Sequence, residues 1–404
     1  MTTIGIDRLS SLSNDSLSGK RLALITNNAA RGRDLRSALE ILKDSSHAKS
    51  ITVLTPEHGY YGDFQAGASV GSAFDENLQV MLESLYREPE SGSRNEDIDE
   101  SMRTKDSQKD NSKYPSPELL REFDTIIYDL QDVGCRIYTY IATMVYTMEV
   151  ASQLPLDFIV LDRPNPISGL NAEGPILKNN LYSFIGALPV TMRHSLTIGE
   201  LALFYNKFLN SERTNLKIVE MDSWKRSMWL DQTSYHWIMP SPNMPTLDTA
   251  TVYPGNVLFE GTNVSEGRGT TRPFQIIGAP WIDGYRLKER VNSLNLPGAK
   301  LVDMKFRPTF SKFSGEVCHG VYLAITDRTL YRPFDFALNM LSEIMEMYPH
   351  EFSFHESYFD KAAGDDRVRY MLKQGLSGSE ITEKFKGEIE AFKEKIKEIY
   401  IYNT

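Results

Sequence analysis

Only two cysteines, Cys135 and Cys318, occur in 404 residues. That is too few for a disulfide framework, and no paired Cys/His spacing suggests a zinc site. No apolar run approaches the ~18 residues of a membrane span. Positive charge is not in excess: 44 Lys and Arg stand against 54 Asp and Glu, a net charge of -10. Nucleic acid or an anionic membrane surface is therefore disfavoured as a partner. The start, Met1-Thr2-Thr3-Ile4, lacks a basic region followed by an apolar stretch. As it stands the chain reads as cytoplasmic; a signal removed before this start would make it periplasmic or secreted. No G-x-G-x-x-G follows the first strand, no Walker G-K-[ST] cradles a phosphate, and no G-x-S-x-G elbow offers a serine nucleophile. No cofactor is indicated.

What is present is an ordinary soluble composition, 41% hydrophobic and 24% charged, long enough for two or three domains. Lys20–Asn28 reads as a buried strand ending in polar residues, Asp34–Lys43 as a helix with Leu35, Ala38, Leu39 and Leu42 on one face, and Ser50–Leu54 as the next strand. This strand–helix–strand unit begins a parallel α/β sheet. Further strands are expected at Val80–Tyr86, Asp124–Leu130, Asp157–Leu161 and Leu216–Met221. Helices are expected from Ser116, through Ile137–Ala151, and from Thr197, where Thr197-Ile198-Gly199-Glu200 fits a capping box. Glu88–Lys113 is too polar to bury a core of its own and reads as a mobile surface insertion. Pro240–Pro245 suits neither helix nor strand and places a boundary between domains 1–235 and 236–404. The second half has strands near Lys300–Met304 and Gly320–Ile325 and helices at Phe334–Tyr348 and Glu380–Ile399.

Chemistry collects at the strand exits, where open α/β sheets bind ligands. After Leu54 come Pro56-Glu57-His58-Gly59-Tyr60-Tyr61; after Leu130, Gln131-Asp132-Val133-Gly134-Cys135-Arg136; after Leu161, Asp162-Arg163-Pro164-Asn165-Pro166. The second half contributes a glycine-rich polar loop from Phe259 to Phe274. A metal hydrolase could draw on His58, Asp63, Asp132 and His194, but no helical His pair supports one. Carboxylates, tyrosines and aromatics in a polar cleft suit carbohydrate, and glycoside hydrolysis needs a proton donor at the leaving oxygen plus a second group. Glu57 is the expected donor, its pKa raised by the apolar rings of Tyr60 and Tyr61; Glu266, Asp132 or a tyrosine could fill the second role.

Leu22–Asn27, Pro56-Glu57-His58-Gly59, Gln131-Asp132-Val133-Gly134 with Arg136 and Tyr138-Thr139-Tyr140, and Leu161–Pro166 resemble the NamZ-type exo-β-N-acetylmuramidase family. So do Glu173-Gly174-Pro175, Arg193-His194 with Thr197–Leu201, Pro240–Pro245, and Glu260–Asn263 running into Ser265–Thr271. The resemblance implies a Rossmann-like N-terminal domain with a parallel sheet, a smaller C-terminal α/β domain, and an active site in the cleft between them. It implies release of terminal N-acetylmuramic acid from non-reducing ends of peptidoglycan fragments, with Glu57 catalytic and a tyrosine assisting; Tyr140 is taken over Tyr138. Asn27, His58, Gln131, Asp132, Tyr138, His194, Asn243 and Asn263 are expected to bind the saccharide, and Arg136, Arg163 or Arg268 its lactyl carboxylate. The chain departs from the family pattern in the Glu88–Lys113 insertion, in His194-Ser195-Leu196-Thr197 where H-G-M-T is usual, and in lacking a visible export signal. A non-catalytic muropeptide- or sugar-binding protein on the same scaffold is the alternative.

Overall fold

The computed structural model of the chain describes residues 1–11, 16–68, 70–86 and 111–403. The expected insertion thus lies almost wholly outside the described residues, apart from a short 3-10 turn at Asn111–Lys113.

Among the described residues the first half is built on seven strands: β1 (Arg21–Thr26), β2 (Ser50–Thr55), β3 (Ala73–Asp75), β4 (Val80–Ser84), β5 (Thr125–Asp129), β6 (Asp157–Leu161) and β7 (Asn215–Val219). They lie in the order β3-β4-β2-β1-β5-β6-β7, all parallel except the edge strand β3. Helices α1 (Ala38–Ser45), α2 (Pro117–Leu120), α3 (Tyr140–Ala151) and α4 (Ile198–Phe208) join them. Alternate residues along a strand face opposite sides of the sheet. Leu22 and Leu24 accordingly pack with Ala38, Leu39 and Leu42 of α1, whereas Ala23 and Ile25 pack with Ile141 and Met144 of α3 and Leu201 of α4. The sheet is therefore buried on both sides, which is why its central strands read as continuous apolar runs.

The capping box at Thr197 forms, Thr197 accepting from the Glu200 N–H and Glu200 reaching back. Helix α1 starts later than expected. Ser37 and Glu40 make a second capping box there, and Leu35, expected on the apolar face, stands before the helix with φ +66° and is exposed.

The second half holds α5 (Leu247–Asn256), an antiparallel sheet ordered β8-β10-β9 from β8 (Ile276–Ala279), β9 (Ala299–Phe306) and β10 (Cys318–Ile325), and helices α6 (Gly284–Ser293), α7 (Pro333–Met347), α8 (Glu356–Ala363), α9 (Arg367–Lys373) and α10 (Gly378–Ile396). Helix α5 packs tightly on α7: a Cβ on Gly255 would lie 1.9 Å from the Pro333 carbonyl. The apolar core on the α3 side of the large sheet continues without a break into these helices through Phe259, Phe334 and Phe392. The last residues return to the first half, where the Tyr402 hydroxyl donates to buried Asp162 at 2.6 Å. Among the described residues no helix is long and apolar enough to cross a membrane.

Candidate active site

Strand β1 pairs with β2 on one side and β5 on the other, so the chain leaves β1 toward one edge and later fills the other. The crevice at the carboxyl ends of β1 and β5 is the switch point where such sheets bind ligands. Asn27 leaves β1, Glu57 leaves the adjacent β2, and the Gln131–Tyr140 segment leaves β5.

After β2 the backbone turns through His58 (φ +73°) and Gly59 (φ +71°). A left-handed histidine is an uncommon conformation, and its ring fixes it by donating from Nδ1 to the Phe64 carbonyl at 2.8 Å. This turn sends Glu57 toward the start of α3. Thr139, the N-cap residue of α3, does not cap its own helix. Its hydroxyl instead donates to Glu57 Oε2 at 2.6 Å, while the Gly67 N–H donates to Oε1 at 3.0 Å. The carboxylate therefore sits at a helix N-terminus, whose field favours negative charge. Burial pushes its pKa up, but the charges of His58 and Lys113 and these two hydrogen bonds outweigh burial and hold it below the usual carboxylate range.

That is the reverse of the expected elevation, and the reason is geometric. Tyr60 is buried in the core on the α1 side of the sheet, and Tyr61 is half exposed with its hydroxyl on Asp75 at 2.6 Å. The tyrosine that touches the Glu57 segment is Tyr86, whose hydroxyl lies 3.4 Å from the Glu57 N–H and 2.6 Å from Thr143 Oγ1. Sequence reasoning missed it because it lies past the end of β4.

Tyr140 and Asn27 hold each other. The Tyr140 hydroxyl donates to the Pro240 carbonyl at 2.6 Å and accepts from Asn27 Nδ2 at 2.8 Å. The hydroxyl of Tyr138 is buried beside Ser241 and Tyr140 and makes no hydrogen bond of good geometry among the described residues. Its ring meets Tyr253 edge-on at 6.2 Å, Tyr253 meets Phe274 at 4.7 Å, and the Arg268 guanidinium lies 5.2 Å over Phe274. This aromatic row joins the Tyr138-Thr139-Tyr140 segment to the Phe259–Phe274 loop of the second half. In that loop Arg268 pairs with Glu260 and, at 3.4 Å, with Glu266, which also holds Lys312 at 3.0 Å. Burial pushes the Glu266 pKa up, and its two cations pull it down further, so the group is ionised. Asn243 donates to Gln65 at 3.0 Å and so braces the loop that carries Gly67.

Other residues expected at the site have internal partners. Arg136 is buried and donates to the carbonyls of Pro175, Val190 and Ala362. Arg163 forms a buried fork on Asp129 and, with Gln131, lines a cleft beside Ala29, Arg31 and Trp237. Asn263 ties its loop to Glu351 and Ser353. The Leu196 N–H donates to Nδ1 of His194, so Nε2 carries the proton and gives it to Asp132 Oδ2 at 3.1 Å. The metal alternative required His58, Asp63, Asp132 and His194 together. Among the described residues no group of three or more His, Cys, Asp or Glu side chains is arranged to hold an ion.

Two family profiles, described as the N-terminal and C-terminal parts of the exo-β-N-acetylmuramidase NamZ, match residues 22–248 and 251–402. The chain belongs to the NamZ family. A curated NamZ relative, the peptidoglycan β-N-acetylmuramidase of Bacillus subtilis (strain 168), is 41% identical over 399 residues, 98% of this chain and 91% of that one. Two crystal structures of DUF1343 family proteins from Bacteroides fragilis NCTC 9343 share the fold. One has a TM-score of 0.86 at 30% identity and the other 0.76 at 28%, each covering 100% of this chain and 99% of the other.

The departure from H-G-M-T has a backbone consequence in this NamZ chain. Ser195, where glycine is usual, adopts φ +62°, a conformation that disfavours a Cβ. Ser195→Gly should therefore stabilise the protein by about 0.5–1 kcal/mol, read as a higher urea midpoint with an unchanged slope.

Proposed function

We propose that this chain is a glycoside hydrolase, an exo-acting β-N-acetylmuramidase that frees N-acetylmuramic acid from non-reducing ends of peptidoglycan fragments. The observation that carries the site assignment is the Glu57 carboxylate, gripped by Thr139 and Gly67 in the crevice between β1, β2 and β5. In this reading Glu57 passes a proton to the leaving glycosidic oxygen, and water completes the anomeric carbon. Because Glu57 is ionised in the free protein, the bound sugar must raise its pKa, by expelling water and by bringing the negative lactyl group nearby. Tyr138, whose buried hydroxyl lies beside Ser241 and Tyr140, is the assisting phenol; Tyr140 and Asn27 hold the Pro240 carbonyl. Glu266 orients Arg268 and Lys312 at the second-half wall. The enzymatic reading is favoured over a binding protein by the activity named for the 41% identical relative.

The test is hydrolysis of a chromogenic β-N-acetylmuramide beside the matching β-N-acetylglucosaminide. Release from the muramide, with little from the glucosaminide, is expected. A wild type that binds muropeptides without turnover would support the sugar-binding alternative instead.

A further inference from the structure

A sugar that carries a lactyl carboxylate must enter a crevice already holding an ionised glutamate, and like charges repel. A cation has to offset this. Four cations suggested by the sequence or met in the second-half wall are already engaged: Arg136 by three carbonyls, Arg163 by Asp129, Arg268 by Glu260 and Glu266, and Lys312 by Glu266. Lys113 is engaged differently. It closes the 3-10 turn Asn111–Lys113, and its ammonium stands 5.4 Å from the Tyr86 ring centre and 5.2 Å from that of Phe184. These two rings meet edge-on at 5.6 Å. Among the described residues no carboxylate is within ion-pair distance of it. The hydroxyl end of the same Tyr86 ring reaches the Glu57 N–H. An ammonium held over ring faces is partly desolvated and oriented, while its remaining donors stay available.

We propose that Lys113 is the specificity residue of this enzyme, the cation that receives the lactyl carboxylate of the muramic acid ring. The lactyl group is borne on O3, two ring carbons from the bond that breaks. Its partner should therefore lie near the proton-transferring carboxylate without touching it. Lys113 is so placed: its ammonium lies over the Tyr86 ring, the hydroxyl of that ring reaches the Glu57 N–H, and no ion pair joins Lys113 to Glu57 directly. The rings of Tyr86 and Phe184 set the direction of the ammonium, so the site selects an acidic sugar from its neutral counterpart by charge.

This inference rests on the muramidase reading, and one set of rate measurements separates the two. Lys113→Met keeps the apolar stem over the rings and removes the charge. On the chromogenic muramide it should raise KM about tenfold, with a much smaller change in kcat. Lys113→Arg should restore most of the loss. Masking the lactyl carboxylate as an amide should cost the wild type a similar factor, and the two losses should not add, because one removed charge leaves nothing for the other to bind. A muramide KM unchanged in Lys113→Met, or losses that multiply, would overturn the assignment while leaving the muramidase intact. Absence of muramide hydrolysis by the wild type would overturn both.

Discussion

Replacing Glu57 by glutamine should lower kcat on a β-N-acetylmuramide about a hundredfold or more and leave the fold unchanged. The substitution is close to isosteric. The carbonyl of the introduced amide can still accept from the Gly67 N–H, and the Thr139 hydroxyl can rotate to accept from its NH₂ group. What is lost is the transferable proton. The variant should melt with the wild type and bind a non-hydrolysable muropeptide about as well. Turnover within a few-fold of wild type would remove Glu57 from the reaction.

The pH dependence follows from the direction of the Glu57 shift. A proton donor must be protonated, so its pKa marks where activity falls as pH rises. The profile of kcat/KM reports the free enzyme, whose Glu57 is held below the usual carboxylate range. The profile of kcat reports the sugar-bound state, in which lost water and the lactyl charge both favour the protonated form. The alkaline limb of kcat should therefore lie at higher pH than that of kcat/KM, and Glu57→Gln should abolish both limbs. Coincident limbs in the wild type would mean that the sugar does not tune this group.

Strands and exits were legible because a doubly buried parallel strand is a short apolar run that ends in polar residues. Leu22–Ile25 and Ile126–Leu130 show this pattern, and Asn27 and Gln131 stand where it breaks. The capping box at Thr197 was legible because its partners are close in the chain and their spacing is fixed. Helix α5 was not, since Pro254 and Gly255 are helix breakers in isolation. Gly255 is required by the approach of Pro333, which is distant in sequence and becomes a neighbour only in space. Strand β8 is four residues long and too brief to show a period. At the site, Glu57 could be named from its position. The sign of its pKa shift could not, because besides the adjacent His58 it depends on Thr139, Lys113 and Gly67, which only the fold brings to the carboxylate. Tyr253 was passed over for a related reason: it matters only as the aromatic link between Tyr138 and Phe274.

Arg136→Met should destabilise the protein by about 3 kcal/mol or more and leave sugar selectivity unchanged in whatever remains folded. By residue type and motif Arg136 was as good a lactyl anchor as any arginine in the chain. The structure gives it different surroundings. It is 1% exposed, its Nη1 donates to Pro175 and Val190 at 2.9 and 3.0 Å, and its Nη2 donates to Ala362 at 2.9 Å. Burial without a carboxylate partner lowers its pKa to about 10, which still leaves it charged at neutral pH. Those three carbonyls belong to two loops of the first half and to the end of α8 in the second, so one guanidinium joins both parts of the molecule. Gly364 accommodates it: φ is +83° there, and a Cβ would fall 2.3 Å from Nη2. Methionine fills a similar volume but has no donor, so the Pro175 and Ala362 carbonyls lose the arginine and cannot be deleted with it, while the Val190 carbonyl keeps only the Leu177 N–H at 3.3 Å. A single buried acceptor left unpaired costs about 1–3 kcal/mol, and removal of the unpaired buried charge offsets part of the sum. If Arg136 were the lactyl anchor, the opposite pattern would appear: an ordinary melting temperature, with muramide KM raised and that for a neutral sugar unchanged.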